Sequence, residues 1–468
     1  MSRDQPEDAE LITSMDQLTG YFRAGIKAPE QRRVGMEHEK FMLRAHDASA
    51  APYEGESGIG RLFEGMCARF GYEPAFDGDN IVAAVRENDE GLPEALTIEP
   101  GGQFELSGAP VRWMRDSEIE LDRHLAEVRE IAQEIGLVGV GTGANGLHDL
   151  DDVPWMPKSR YGIMRRYMSQ VGTLGHWMMK MTCTVQANFD YTSEQDAADM
   201  LRTALWISPI VSALFATSPI RERKPSGYMS TRCFFWTDTD KDRCGFPPFM
   251  QAEEDFGFEA YANYALDVPM YLMTRQGRYI DMAGHSFRRF LEDGHQGHSA
   301  TMGDFALHLS TLFPEVRLKR YIEVRGADCG PRGNLLALPA LWKGLLYDLD
   351  ARRAARDLLS GMTFEARERL FTHAIRWSLD GPVPDTGHKS PRTIRDLASD
   401  LIDIAAGGLD RLALADPAAP LAGPDERRYL EPLRAAIEGP AASPAHALLE
   451  RWKALGGDTA AWMLEQAL

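Results

Sequence analysis

The sequence predicts an α+β protein, and two observations carry that prediction. Segments with helical periodicity gather towards the C-terminus, while four short segments alternate apolar and polar residues: Val34 to Leu43, Ala95 to Ser107, Met181 to Asp190 and Arg320 to Gly326. The clearest helix runs from about Asp116 to Gly136, where Leu121, Leu125, Val128, Ala132 and Ile135 recur every three or four positions. Ser117 and Glu120 are spaced for a capping box, and Gly136 suits a stop. Residues 195–217 predict a second helix, buried and broken at Pro209. The uncharged stretch Thr203 to Ile220 around it carries two prolines and several hydroxyls, which argues against a membrane span. Beyond residue 340, segments rich in Ala, Leu and Arg predict a helical cover, and the Ala/Pro-rich stretch Ala415 to Pro424 predicts a surface linker. The expected organisation is a flexible N-terminal segment over 1–20, a catalytic core over 21–350, and a helical C-terminal cover over 351–468 packed on it as one unit.

Composition narrows the class of function. Among the 468 residues, 70 acidic side chains against 51 basic ones leave a formal net charge of −19, a surface that repels a phosphate backbone. Nucleic acid is therefore not an expected partner. The five cysteines are scattered without a Cys-x-x-Cys pair, and their odd number disfavours both a structural zinc site and a secreted disulfide framework. The acidic start MSRDQPEDAE is unlike a secretory signal, so a cytoplasmic location is expected.

The four strand segments share a feature. Residues two apart on a strand point the same way. Glu37 and Glu39 therefore share a face of the first segment. In the second, the pair Gly101-Gly102 bends the chain after Glu99, and Gln103 and Glu105 then share a face. Gln186, Asn188 and Asp190 line up in the third, opposite Cys183, Val185, Ala187 and Phe189. The fourth pairs Glu323 with Arg325, backed by Ile322 and Val324. A polar solvent face is the ordinary reading of one such strand. Four of them, rich in Glu, Gln and Asn with glycines alongside, point instead to a shared ligand. Converging carboxylates repel unless a cation intervenes, and hard oxygen donors suit magnesium or manganese held jointly by carboxylates and phosphates. The constellation asks for a metal-nucleotide. Two basic segments supply counter-charge: Met156-Pro-Lys158-Ser-Arg160-Tyr161 with Arg165, and the turn-rich run Trp236 to Gly245, in which Arg243, with Arg232 just upstream, is placed to meet a carboxylate or phosphate. No Gly-x-x-x-x-Gly-Lys-Ser/Thr motif occurs, which excludes a P-loop enzyme.

Six motifs in order, Gly35-Met-Glu-His-Glu-Lys-Phe41, Thr97 to Gly108, Thr182 to Asn188, Trp236 to Gly245, Ala265 to Tyr271 and Phe313 to Asp328, resemble the glutamate–cysteine ligases of plants and proteobacteria. The resemblance implies a glutamine synthetase-like fold, an antiparallel sheet forming a funnel surrounded by helices. It implies ATP and Mg²⁺ (or Mn²⁺) as cofactors, and L-glutamate and L-cysteine as substrates of a monomer or homodimer. By motif match it makes Glu37, Glu39, Glu99, Glu105 and Glu323 candidate metal ligands. Arg325 faces the transferred phosphoryl group, and Arg232 faces an amino-acid carboxylate. Lys158, Arg243 and Gln186 serve the nucleotide, and Tyr161, Arg165 and Trp236 line the amino-acid pocket. The segments Met168 to Trp177 and Asp281 to His298 depart from the family's usual pattern. A different acceptor amine, or a catalytically silent binding protein on the same scaffold, therefore stay open as alternatives.

Overall fold

Alternating strands assemble into one nine-stranded sheet whose pairings are all antiparallel. The computed structural model describes residues 9–88, 90–251, 256–384, 392–416, 425–441 and 443–468. In chain order the strands are β1 (Val34–Arg44), β2 (Glu73–Asp77), β3 (Asn80–Glu87), β4 (Pro93–Ile98), β5 (Phe104–Ser107), β6 (Leu137–Val140), β7 (Thr184–Phe189), β8 (Val316–Leu318) and β9 (Ile322–Asp328). They lie in the order β8-β9-β7-β1-β5-β4-β3-β2, with β6 added to the far end of β1.

The segment expected to be one bent strand, Ala95 to Ser107, is instead a hairpin. Glu99 N–H donates to the Gln103 carbonyl at 2.9 Å and Gly102 N–H to the Glu99 carbonyl at 2.9 Å. Gly102 sits at φ +86°, where a side chain is strained, and a Cβ on Gly101 would lie 2.4 Å from the Lys180 carbonyl oxygen. The two glycines therefore reverse the chain completely rather than kinking it.

One sheet face is apolar. Val185, Ala187, Phe189, Ile322 and Val324 are buried in a core that also holds Leu201, Leu205 and Ile210 of helix Glu194–Leu214 and Leu335, Leu338 and Leu345 of helix Arg332–Tyr347. Further along, Phe104 and Leu106 meet Leu62 and Phe63 of helix Ile59–Phe70 and Val128 and Ile131 of helix Met114–Glu134. Two helix expectations need correction. Ser117 and Glu120 form no capping box: the helix begins at Met114, whose N–H donates to the Glu426 carboxylate at 2.7 Å, while Glu120 accepts from Ala109 N–H at 2.8 Å. Helix Glu194–Leu214 runs through Pro209 without breaking.

The chain is ordered well before residue 20. Residues 1–8 lie outside the described residues, but helix Met15–Arg23 already buries Leu18, Tyr21 and Phe22, so a flexible segment extending to residue 20 does not hold. The expected linker falls, from residue 417 to 424, outside the described residues. At the other end, helix Ile394–Ala415 crosses Arg332–Tyr347 so closely that a Cβ on Gly408 would stand 2.1 Å from the Gly344 carbonyl oxygen. Gly408→Ala must therefore force the two helix backbones apart. An expected loss of about 3 kcal/mol, read from the urea midpoint at constant slope, checks that crossing. No helix among the described residues is long and apolar enough to cross a membrane.

Candidate active site

The sheet face away from the helices carries the acids. Register sets them against one another: Glu39 lies directly opposite Glu105, and Glu37 lies between Ser107 on β5 and Gln186 on β7. Glu99 comes from the β4–β5 turn. Together these residues line a cavity lobe of about 100 Å³ with Arg160, Tyr161, Arg317 and Arg325. A second lobe of about 90 Å³ shares Glu39, Glu99, Met164, Phe313 and Arg325 and adds Met178, Met179, Arg232 and Trp236. Arg325 thus stands at the junction of the two.

Each buried acid accepts a hydrogen bond from a neighbouring protein group. Glu37 Oε1 accepts from the Asn188 amide at 2.7 Å, Glu39 Oε2 accepts from Thr184 N–H at 3.0 Å, and Glu105 accepts from the Thr97 hydroxyl. Directly opposed strand residues have Cβ atoms about 5 Å apart, and unit charges at that range repel by about 3 kcal/mol at an effective dielectric of about 20. Proton affinity rises accordingly. Burial, then the Glu105 and Glu99 carboxylates, push Glu39 well above the usual carboxylate range. Burial, then the Glu37 and Glu99 carboxylates, push Glu105 up to about 7.

A raised carboxyl pKa means that the folded protein holds the proton more tightly than the unfolded chain does. The resulting stability is fully present below the unfolded value near 4.3 and is lost as pH climbs towards 7. Glu105 therefore contributes a falling slope to the melting temperature of the ligand-free protein between pH 5 and 7.5, against the rising contribution of the buried histidines His38, His124 and His308, which burial keeps neutral. Glu105→Gln should remove that falling contribution, which thermal melts across the range measure.

The structure separates the expected site residues into two groups. Glu37, Glu39, Glu99, Glu105, Gln186, Tyr161, Arg325, Arg232 and Trp236 line the two lobes. Tyr161 is anchored by its hydroxyl, which donates to the Ile98 carbonyl at 2.6 Å. Gln186 accepts from Arg325 Nη1 at 2.8 Å. Arg232 donates through Nη2 to the Arg325 carbonyl at 2.8 Å, while among the described residues its buried Nε and the buried Trp236 Nε1 have no hydrogen-bond partner.

The other expectations are corrected. Glu323 does not line the cavity: it is fully buried, and its two oxygens are taken by Arg317 at 2.7 Å, Lys319 at 2.9 Å and Arg325 at 2.5 Å. Burial opposes its ionisation, but the three cations outweigh burial and hold the carboxyl well below the usual range. Its oxygens are engaged by these three side chains, Arg325 among them. Arg243 is sealed inside the protein, paired with Asp240 at 2.5 Å and donating to the Pro269 carbonyl at 2.6 Å and the Thr311 carbonyl at 3.1 Å, so it has no reach to a nucleotide. Arg165 lies on the surface with its guanidinium 4.7 Å from the Trp155 ring. Lys158 is buried with its ammonium 5.6 Å from the Tyr161 ring and is not part of the cavity wall. Gln103, expected beside Glu105, does line the second lobe, with its amide donating to the Met179 and Thr182 carbonyls at 3.1 and 2.9 Å.

Two lining cations, Arg317 and Arg160, were not assigned from sequence. Arg317 was present in the quoted Phe313 to Asp328 motif, six residues before Glu323, a spacing that a tight turn at Lys319 to Tyr321 converts into a cross-strand pair. Arg160 was quoted beside Tyr161 and opens helix Ser159–Val171.

A single five-carboxylate metal cluster is also not what forms. Among the described residues, no group of three or more His, Cys, Asp or Glu is close enough to share one ion. The donor chemistry still fits magnesium, which usually takes only one or two protein carboxylates and completes its shell with phosphate oxygens and water. Glu39 and Glu105, opposed and repelling, are the pair a divalent cation would relieve.

Comparison with known proteins places the chain in a family. Residues 33–463 match the family described as glutamate-cysteine ligase family 2. The chain is 44% identical to the chloroplastic glutamate–cysteine ligase of Nicotiana tabacum over 409 residues, covering 86% of this chain and 75% of that protein. It is 42% identical over 417 residues to the chloroplastic enzyme of Arabidopsis thaliana, covering 87% and 76%. Among solved structures, a glutamate–cysteine ligase of Francisella tularensis, determined in complex with AMP, superposes with a TM-score of 0.53 at 13% identity, covering 93% of this chain and 88% of that one. That likeness concerns the fold, which is glutamine synthetase-like. The cytoplasmic expectation is overturned, because these relatives are chloroplastic proteins. Cysteine usage and an acidic N-terminus do not distinguish one reducing compartment from another.

Proposed function

The chain belongs to glutamate–cysteine ligase family 2, and on that premise we propose that it joins the γ-carboxyl of L-glutamate to the amine of L-cysteine, hydrolysing ATP to ADP and phosphate. The product, γ-glutamylcysteine, opens the route to glutathione. The observation that carries this reading is the two-lobed cavity meeting at Arg325, with opposed carboxylates on one side and unpartnered donors on the other.

A carboxylate is a poor acyl donor because oxide is a poor leaving group. In the proposed route the glutamate γ-carboxylate oxygen bonds to the γ-phosphorus of ATP as the bond to the β-phosphate oxygen breaks, giving γ-glutamyl phosphate and ADP. The cysteine nitrogen, as the free amine, then bonds to the activated carbon, phosphate leaves carrying one proton from the amine, and an amide N–H remains. Glu39 and Glu105 are the residues suited to hold magnesium. When bound, the metal neutralises phosphate charge and so favours the in-line displacement.

The protein's own groups do the rest. Arg325, fixed by Gln186 and Glu323, presents a guanidinium where the two lobes join, so it reaches the phosphoryl group in transit. Arg232 Nε and Trp236 Nε1 are donors positioned for a substrate carboxylate. Met164, Met178 and Met179 form an apolar wall that keeps water from the acyl phosphate.

The test is a panel of amines offered with ATP, glutamate and Mg²⁺, scored by phosphate release and product mass. L-Cysteine should give the highest kcat/KM. A higher value for another amine would replace the acceptor, and no ADP formation with any amine would remove the ligase assignment.

A further inference from the structure

On the apolar side of the sheet, distinct from the acid cavity, lies a larger cavity of about 310 Å³ between the 3-10 turn Pro29–Gln31, the start of helix Met114–Glu134, helix Arg332–Tyr347 and the end of helix Ile394–Ala415. It shares no lining residue with the acid cavity. Pockets of this size bind small molecules when an apolar wall carries a few placed polar groups.

Most of its charges are already satisfied. Lys343 and Glu426 pair at 2.7 Å, and Arg112 and Asp416 pair at 2.6 Å. Two are not. Among the described residues Arg32 has no carboxylate partner: its guanidinium lies 4.4 Å from the Tyr347 ring and donates only to the Tyr347 carbonyl at 3.2 Å and the Pro29 carbonyl at 3.3 Å. Glu30, exposed on the same turn, lines the cavity and is in no ion pair among them. The cavity therefore offers one available cation and one available anion beside an apolar wall that includes Trp113 and Leu412. An anion alone or a cation alone would use half of this set.

We propose that this cavity is a second ligand site, for a small zwitterion with an apolar flank: an α-amino acid with an aliphatic or aromatic side chain. Its carboxylate faces Arg32, its ammonium faces Glu30, and its side chain lies along Trp113 and Leu412. Arg32 stands two residues before β1, the strand that carries Glu37 and Glu39, so an occupant sits beside the root of the catalytic strand.

Calorimetric titration of the full chain with L-leucine and L-phenylalanine tests this, with N-acetyl-L-leucine and L-leucinamide as analogues that lack one charge each. The titrations are run with L-glutamate and Mg-ADP saturating the catalytic cavity. One of the two free amino acids is expected to bind with a submillimolar Kd, and both blocked analogues at least tenfold more weakly. Arg32→Ala should weaken binding at least tenfold. Ala413→Phe, which fills the cavity from the last turn of its helix, should abolish it. Thermal melts confirm that the variants fold. Absence of submillimolar binding, equal binding of the blocked analogues, or binding untouched by a folded Ala413→Phe variant would overturn the proposal.

Discussion

Arg325→Met is expected to lower kcat by about 10² to 10³-fold, the usual cost of losing one donor aimed at developing charge, while the protein stays folded. The main chain at this position is fixed independently of the side chain, by Arg325 N–H donating to the Glu315 carbonyl at 3.1 Å and by Arg232 holding the Arg325 carbonyl at 2.8 Å. Glu323 keeps Arg317 and Lys319 after the substitution, so no buried carboxylate is abandoned. The loss should therefore fall on kcat more than on the KM for ATP. Single-turnover phosphate release on the variant, with a thermal melt alongside, separates lost chemistry from lost fold. Unchanged kcat would remove Arg325 from the phosphoryl path.

Glu323→Gln is expected to act through stability instead. The carboxylate is fully buried and faces Arg317, Lys319 and Arg325 at once. Making it neutral leaves three buried cations without their shared counter-ion, a change that costs about 3–5 kcal/mol when one partner of a buried pair is removed. A large fall in urea midpoint should accompany lost activity. Adding Arg317→Met to Glu323→Gln should recover part of the stability, because one stranded cation is removed with its carboxylate partner. Full stability of the single variant would show that these charges do not depend on Glu323.

This second expectation reverses what the strand pattern alone implied for Glu323, and the reason is physical. Period-two spacing correctly put Glu37 with Glu39, and Glu323 with Arg325, on a common face, because side-chain direction along a strand is a local property. Whether a carboxylate on that face meets a ligand or a cation depends on the neighbouring strand. Glu39 is opposed by Glu105, whereas Glu323 is opposed by Arg317. Register is a non-local quantity fixed by turn geometry, which the residue types of the Lys319 to Tyr321 turn do not specify.

The same limit explains Arg243 and Arg165. Their run of polar neighbours suggested ligand loops, but Asp240, three residues before Arg243, provides an internal partner, and Trp155 provides a stacking surface for Arg165. Gln103 was legible as polar and strand-adjacent, yet the Gly101-Gly102 reversal turns its amide towards two main-chain carbonyls of a helix end. The apolar alternation of β7 and β9 gave a correct inner face, since Val185, Ala187, Phe189, Ile322 and Val324 are all buried. The edge strand β2 and its neighbour β3 carry no comparable acid pattern, and β2 is largely exposed, so nothing in their residues singled them out.

Diffraction from crystals grown with ADP and Mn²⁺, recorded for the manganese anomalous signal, addresses the opposed carboxylates directly. A peak about 2.1 Å from an oxygen of Glu39 or Glu105, with nucleotide phosphate completing its shell beside Arg325, is the predicted result. A peak remote from β1 and β5, with those two side chains left unliganded, would contradict it.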